Sequence, residues 1–180
     1  MEKTLFLKNF LKNPLRNASV IPSSAAAARA MVDGINWDKI NTVVELGPGN
    51  GVFTEEILAN CKEGTTIILI EIEESYIKLL NAKFDGRIHI EHTSAHLMDE
   101  VLAKYDKTHA DLIISGLPFL PDEYKTLTNE AILRHTEKGA IYRFFTYMPP
   151  VMKRVYKDMP LEEIRFVPAN IPPMWIYGIN

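Results

Sequence analysis

The chain has little cysteine: a single residue, Cys61, in 180. One thiol excludes an internal disulfide and fits a reducing, cytoplasmic setting. Long apolar runs are also missing. No stretch approaches the roughly 20 residues that a membrane-spanning helix requires. Lys3, Lys8, Asn9 and Lys12 interrupt the first apolar residues, where a cleavable leader would need an unbroken run. Nor is there an excess of basic charge. Twenty Lys+Arg stand against 23 Asp+Glu, for a net charge of −3 and a pI of about 6.0, which argues against a broad nucleic-acid-binding face. The hydrophobic content of 47% and charged content of 24% are ordinary for a globular domain, and the length suffices for one full core.

The charge is unevenly spread. In residues 1–22, Lys3, Lys8, Lys12 and Arg16 oppose only Glu2, so this segment carries +3 and the remainder −6 (−6 + 3 = −3). Leu5, Phe6, Phe10 and Leu11 recur at helical spacing beside the lysines, which predicts an amphipathic helix over 2–13 ended by Pro14. Such a helix packs on the core, closes over a ligand, or lies in the boundary of an anionic membrane with its lysines near phosphates. Ser23 or Ser24 begins a second helix that runs to Val32 and closes at Gly34. Residues 1–34 thus read as an N-terminal helical segment and 35–180 as the main domain.

From Thr42 the pattern alternates. Short apolar strands are expected at 42–46, 66–70, 87–91, 110–115 and 140–146, with helices at 52–60, 74–84, 97–105, 123–135 and 149–157. Two last strands, 162–168 and 174–179, have no helix between them. Continuous apolar strands separated by helices predict a parallel sheet covered on both faces, and the final pair predicts an antiparallel end. The expected fold is α/β: a mostly parallel seven-stranded Rossmann-like sheet with an antiparallel final strand pair. Several doubly wound folds share that pattern.

The strongest local signal is Glu45-Leu46-Gly47-Pro48-Gly49-Asn50-Gly51, which follows a strand and opens a helix. Small residues let the backbone approach a ligand, and helix N-terminal amides receive its polar groups. Glu71, twenty residues beyond Gly51, ends the second strand where a carboxylate can accept ribose hydroxyls. The alternating glycines depart from the dinucleotide spacing. E-x-G-x-G-x-G resembles the first motif of the class I S-adenosylmethionine-dependent methyltransferases. That resemblance implies S-adenosylmethionine as cofactor, with Glu45, Gly47, Gly49, Gly51 and Glu71 around its methionine and ribose parts. Ile72 and Ser115 complete the implied set. Ser94 stands where the family often has an adenine-binding Asp, beside the Ala95 amide.

The last motif is Ser115-Gly116-Leu117-Pro118-Phe119, after the fourth strand. A rigid proline turn there offers carbonyls next to a methyl donor, and an aromatic can face a cation. The rRNA adenine dimethyltransferases read Asn-Leu-Pro-Tyr or Asn-Leu-Pro-Phe at this place; here Gly116 replaces the asparagine that holds the adenine amine. Ser-Gly-Leu-Pro, with Phe6–Pro14, Ile21-Pro22-Ser23-Ser24, Phe145-Thr146-Tyr147 and Asn170-Ile171-Pro172-Pro173, resembles the soluble-type bacterial phospholipid N-methyltransferases. The resemblance covers Phe6 to about Tyr177. It implies methylation of a phospholipid head-group amine such as that of phosphatidylethanolamine, by a peripheral enzyme at the cytoplasmic membrane surface. Leu117, Pro118, Phe119 and Tyr147 then line the amine site. An RNA adenine or small-molecule methyltransferase, and a cofactor-binding protein without catalysis, are the alternatives. No general base is singled out. Arg143 and Lys153 are open to a lipid phosphate or to solvent, and Asn170 to holding the acceptor turn or capping a strand. His89, His92 and His96 do not share a face, so no metal site is expected.

Overall fold

The computed structural model describes residues 24–84, 86–117, 120 and 122–180. The expected helix over 2–13, Ile21 to Ser23, Pro118 and Phe119 lie outside the described residues.

Seven strands form one sheet in the order β3-β2-β1-β4-β5-β7-β6. They are β1 (Thr42–Leu46), β2 (Thr66–Glu71), β3 (His89–His92), β4 (Leu112–Ser115), β5 (Ile141–Thr146), β6 (Glu162–Val167) and β7 (Met174–Ile179). Pairs among β1 to β5 are parallel, while β7 runs antiparallel to both β5 and β6. The helices are α1 (Ala25–Val32), α2 (Val52–Asn60), α3 (Glu74–Phe84), α4 (Met98–Lys104), α5 (Asp122–Thr136) and α6 (Pro149–Val155). The expected mostly parallel seven-stranded sheet and its antiparallel end are thus realised, with boundaries moved by at most two residues.

Every residue of β1 is buried, because helices cover both sides of the sheet. Strand alternation sorts the apolar side chains between those sides. Val43, Ile67, Leu69, Leu112 and Ile114 pack under α1, α2 and α3. Val44, Leu46, Ile68, Ile70 and Ile113 pack under α4, α5 and α6. Glu45 and Glu71 share strand parity with the first set, so both acids point to the α1–α3 side. Ser115 shares parity with the second.

Ser24 caps α1: its Oγ accepts the Ala27 N–H at 3.2 Å. Ala27, Ala28 and Met31 of this helix are fully buried in the first core cluster. Two buried polar residues fix it. Asn170 Oδ1 accepts the Ser24 N–H at 3.0 Å while its Nδ2 donates to the Pro172 carbonyl at 2.8 Å. Asn170 therefore ties the start of α1 to its own turn between β6 and β7, rather than holding the acceptor turn or capping a strand. Arg143 donates from Nη1 to the Met31 and Asp33 carbonyls at 2.9 and 2.6 Å, closing the end of α1. It is buried, so it meets neither a lipid phosphate nor bulk solvent.

Candidate active site

The parallel strands end together, and two chain reversals meet there. After β1, Gly47 turns with φ +67° and donates its N–H to the Ile70 carbonyl at 2.9 Å. Gly51 caps α2 in the left-handed region, φ +75°, which glycine adopts without penalty. After β4, Gly116 donates to the Leu46 carbonyl at 2.8 Å, so the second reversal starts flush against the first.

The glycines serve different neighbours. A Cβ on Gly49 would meet nothing within 4 Å, so this position faces open space. A Cβ on Gly51 would lie 2.7 Å from the Phe84 ring and 3.0 Å from Leu80; its missing side chain makes room for α3. A Cβ on Gly116 would lie 2.6 Å from the Gly47 carbonyl oxygen. Backbone cannot yield as a side-chain tip can, so residue 116 carries no side chain while the two reversals stay in contact. Gly47 in turn faces Leu117, whose Cδ2 would be 2.9 Å from an added Cβ.

Glu71 is buried and its carboxylate is already engaged. Oε2 accepts the Gly49 N–H at 3.2 Å, and Oε1 accepts those of Ile72 and Glu73 at 2.9 and 3.0 Å. A carboxylate has about four acceptor sites, so one stays open to a hydroxyl while the others hold the glycine loop in place. The loop is braced from outside as well: Lys83 donates to the Asn50 carbonyl at 2.9 Å and pairs with Glu55 at 3.0 Å.

Glu45 is the opposite case. It is fully buried, and Oε2 accepts the Thr54 hydroxyl at 2.6 Å. Oε1 is buried with no hydrogen-bond partner. Burial, with the nearby Glu71 charge adding to it, pushes its carboxyl up to about 7 against the opposing pull of the Thr54 hydroxyl and Lys83. A buried acceptor without a donor is costly, and it suits a ligand that brings a cationic donor.

Beyond β2, Ile72 is an exposed side chain whose carbonyl lies 3.0 Å from His92 Nε2. Ser94 Oγ lies 2.9 Å from His96 Nδ1, and the His96 ring stacks on Tyr124 at 4.8 Å. Ala95 is buried at the start of a short 3-10 turn, Ala95–Leu97. Thus His96 and Tyr124 join Ser94 at this border, a pairing across 28 residues with no signal in the sequence. His89 packs at a tilt against Tyr105 instead, with ring centroids 4.1 Å apart, and the three histidines have three separate surroundings. Among the described residues no cluster of His, Cys, Asp and Glu is placed to hold a metal ion.

Ser115 faces away from the two acids. It is buried beside the Tyr142 phenol, and its Oγ accepts the Leu117 N–H at 3.4 Å. Its hydroxyl therefore shapes the second reversal. Leu117 packs with the α4–α6 cluster, whereas Tyr147 packs with the α1–α3 cluster, edge-on to Phe145 at 5.6 Å. Of the four expected acceptor residues, the two described, Leu117 and Tyr147, flank the sheet end from opposite sides. Tyr142, 1% exposed, is core.

Residues 2–134 match the family model of ribosomal RNA adenine dimethylase. The chain is 30% identical to an ornithine lipid N-methyltransferase from Singulisphaera acidiphila over 96% of its own length and 93% of that protein. It is 28% identical to the ribosomal RNA small subunit methyltransferase A of Mycoplasma mycoides, matching 54% of this chain but 37% of that one. Among solved structures it is similar in fold to TrmN from Thermus thermophilus (TM-score 0.61, 14% identity, 92% of this chain and 52% of that chain). It is also similar to the ribosomal protein L11 methylase of Lactobacillus delbrueckii subsp. bulgaricus (TM-score 0.58, 14% identity, 87% and 76%). The chain belongs to the ribosomal RNA adenine dimethylase family, within the class I S-adenosylmethionine-dependent methyltransferases.

Proposed function

We propose that this enzyme transfers a methyl group from S-adenosylmethionine to the head-group amine of a membrane lipid, a phospholipid such as phosphatidylethanolamine or an amine-bearing lipid of the ornithine type. The observation that carries this reading is Gly116. In the rRNA enzymes an asparagine at this place clamps the adenine amine, and here a Cβ would already collide with the Gly47 carbonyl at 2.6 Å. The N-methyltransferase from Singulisphaera acidiphila supports a lipid, since it aligns over nearly the whole of both chains and is named for one. The rRNA relatives, aligned over about a third of their length, speak for a shared cofactor core.

The cofactor supplies an electrophilic methyl group on a sulfonium. In the proposed arrangement the open fourth acceptor of Glu71 takes a ribose hydroxyl, and Gly49 leaves room above the loop. The donorless Glu45 Oε1 takes a cationic N–H of the methionine part, directly or through water. Ile72 covers one side of the adenine, with Ser94 and the Ala95 amide at its edge. The Leu117 carbonyl, Pro118 and Phe119 line the amine's approach, and Tyr147 closes it from the other side of the sheet. Holding the amine lone pair in line with the methyl is the main service such a site performs. The N-terminal segment, with its +3 charge, would bind an anionic membrane from the cytoplasmic side.

The test is transfer of labelled methyl from S-adenosylmethionine into a bacterial lipid extract, run beside an RNA extract. Label is expected in amine lipids and not in RNA. Label in adenine, with none in lipid, would overturn the reading; comparison of purified phosphatidylethanolamine with ornithine lipid then separates the two acceptors.

A further inference from the structure

Among the described residues, the exposed large apolar side chains are not scattered. Among the described residues, Ile72, Leu79, Tyr124, Leu127, Val151, Phe166 and Ile171 are the large apolar side chains left exposed. Leu79 lies in the middle of α3. The others gather at the end of the sheet where the parallel strands finish. Ile72 follows β2 directly, and Tyr124 and Leu127 stand in the first two turns of α5, which begins seven residues past β4. Val151 is in the first turn of α6, just past β5. Because β7 is antiparallel to β5, with Thr146 opposite Trp175, the start of β7 lies at this same end. Phe166 pairs with Trp175, its ring tilted against the indole at 4.6 Å, and Ile171 projects from the turn joining β6 to β7, 63% exposed.

Leaving out Ile72 and Ile171, these residues share one side of that rim, and Ile171 stands beside them on the β6–β7 turn. Leu127 and Val151 belong to the helices on the Leu117 side of the sheet, and Trp175 packs with the same cluster. An exposed apolar group this localised marks a contact surface. Charge indicates the partner. From Met148 to Lys157 the sequence MPPVMKRVYK carries three basic residues and no acid, in a chain of net charge −3, and Arg154 and Lys157 are exposed. Two exposed acids, Glu123 in the first turn of α5 and Asp158 after Lys157, border this stretch, and Asp122 pairs with Lys125 at 2.6 Å. Apolar tips with cations beside them match the boundary between acyl chains and anionic head groups.

We propose that this rim, built from the start of α5, α6 and the β6–β7 turn, seats on an anionic lipid bilayer and sets the Leu117 turn over the head groups. Leu127, Val151 and Ile171 enter the boundary, and Arg154 and Lys157 lie at phosphate level. The choice of a bilayer as occupant rests on the lipid-substrate reading. The surface is distinct from the N-terminal segment, and it orients the enzyme where that segment alone would only tether it.

The test places an environment-sensitive fluorophore on single cysteines, in a Cys61→Ser background, at Leu127→Cys, Ile171→Cys and Leu79→Cys of the full chain. Vesicles of phosphatidylcholine and phosphatidylglycerol, which offer no methylatable amine, are added. The labels at 127 and 171 are expected to shift to the blue and to be quenched by brominated acyl chains, while the label at 79 is not. All three labels staying in water, or position 79 responding equally, overturns the proposal. The variant Leu127→Ser/Val151→Ser/Ile171→Ser should lose about tenfold or more in vesicle flotation, with unchanged S-adenosylhomocysteine affinity showing that it is folded. Unchanged flotation also overturns the proposal. If the labels insert but no amine lipid is methylated, the substrate reading fails and the docking surface stands. If a short-chain amine lipid in solution is methylated but the labels stay in water, the reverse holds.

Discussion

The two reversals at the sheet end are built on different plans. The one after β1 is held by polar contacts: Glu71 gathers three backbone amides, the Gly47 N–H joins Ile70, and Lys83 grips Asn50. The one after β4 is held by shape, with Gly116 pressed on Gly47 and Leu117 in an apolar cluster. The difference teaches where each kind of specificity comes from. A charged nucleoside cofactor needs fixed donors and acceptors, and the first reversal provides them. In the proposed reading the acceptor is chosen in the second reversal by what is missing, because the space a side chain at residue 116 would need is filled by the Gly47 backbone.

Substitution at the joint should break that comparison most strongly. Gly116→Ala places a methyl 2.6 Å from a carbonyl oxygen, so the two reversals must part. The expected cost is about 1–3 kcal/mol of stability. A displacement near 1 Å at the methyl-transfer site should lower the rate about a hundredfold, read as methyl transfer at saturating cofactor. A near-normal rate would show that the reversals are not rigidly joined.

Glu45→Gln sharpens the polar half. The carboxyl is raised from 4.5 to about 7, so the folded protein holds this proton more tightly than the unfolded chain. As pH rises from about 4.5 to 7 the unfolded chain ionises first and stability falls, with the full loss present above about 7. For a fully buried group the penalty is on the order of 2–3 kcal/mol. Glutamine carries no such charge, so the variant should be more stable than the parent at pH 8 by up to that amount and about equal at pH 5, measured by urea unfolding. On the proposed role of the donorless oxygen, cofactor affinity should fall at the same time. Stability and binding moving in opposite directions is the mark of a residue kept for function. Glu71→Ala should instead lower both, with cofactor affinity down by about 2 kcal/mol, roughly thirtyfold in Kd, and the Gly49 amide left without its acceptor. Calorimetry with S-adenosylmethionine compares the two acids directly.

Local signals carried much of this architecture. Short continuous apolar strands, Ser24 before an apolar helix, and a glycine loop between a strand and a helix each act within a few residues, so they are visible in the chain. Long-range partners are not. Asn170 reaches Ser24 across 146 positions and Arg143 reaches Met31 across 112. Arg143 read as a surface cation and Asn170 as a turn clamp or strand cap because their partners are backbone atoms elsewhere in the chain. Gly51 matches the cofactor motif in sequence, yet its bare Cα accommodates Phe84. The role of Gly116 was visible only as a departure from a motif. Its physical reason, the Gly47 carbonyl, needed the fold.

Ser115 tests the division at its finest grain. The resemblance placed it with the cofactor residues, but its side chain lies on the Leu117 side of the sheet and its Oγ takes the Leu117 N–H over a long 3.4 Å. A neutral bond of that length contributes at most about 1 kcal/mol. Ser115→Ala should therefore leave cofactor affinity unchanged while lowering kcat with the amine acceptor about threefold to fivefold, the rate equivalent of about 1 kcal/mol. If cofactor affinity falls and turnover of bound cofactor does not, Ser115 belongs to the polar half, and the boundary between the two plans runs through Leu117 rather than through the end of β4.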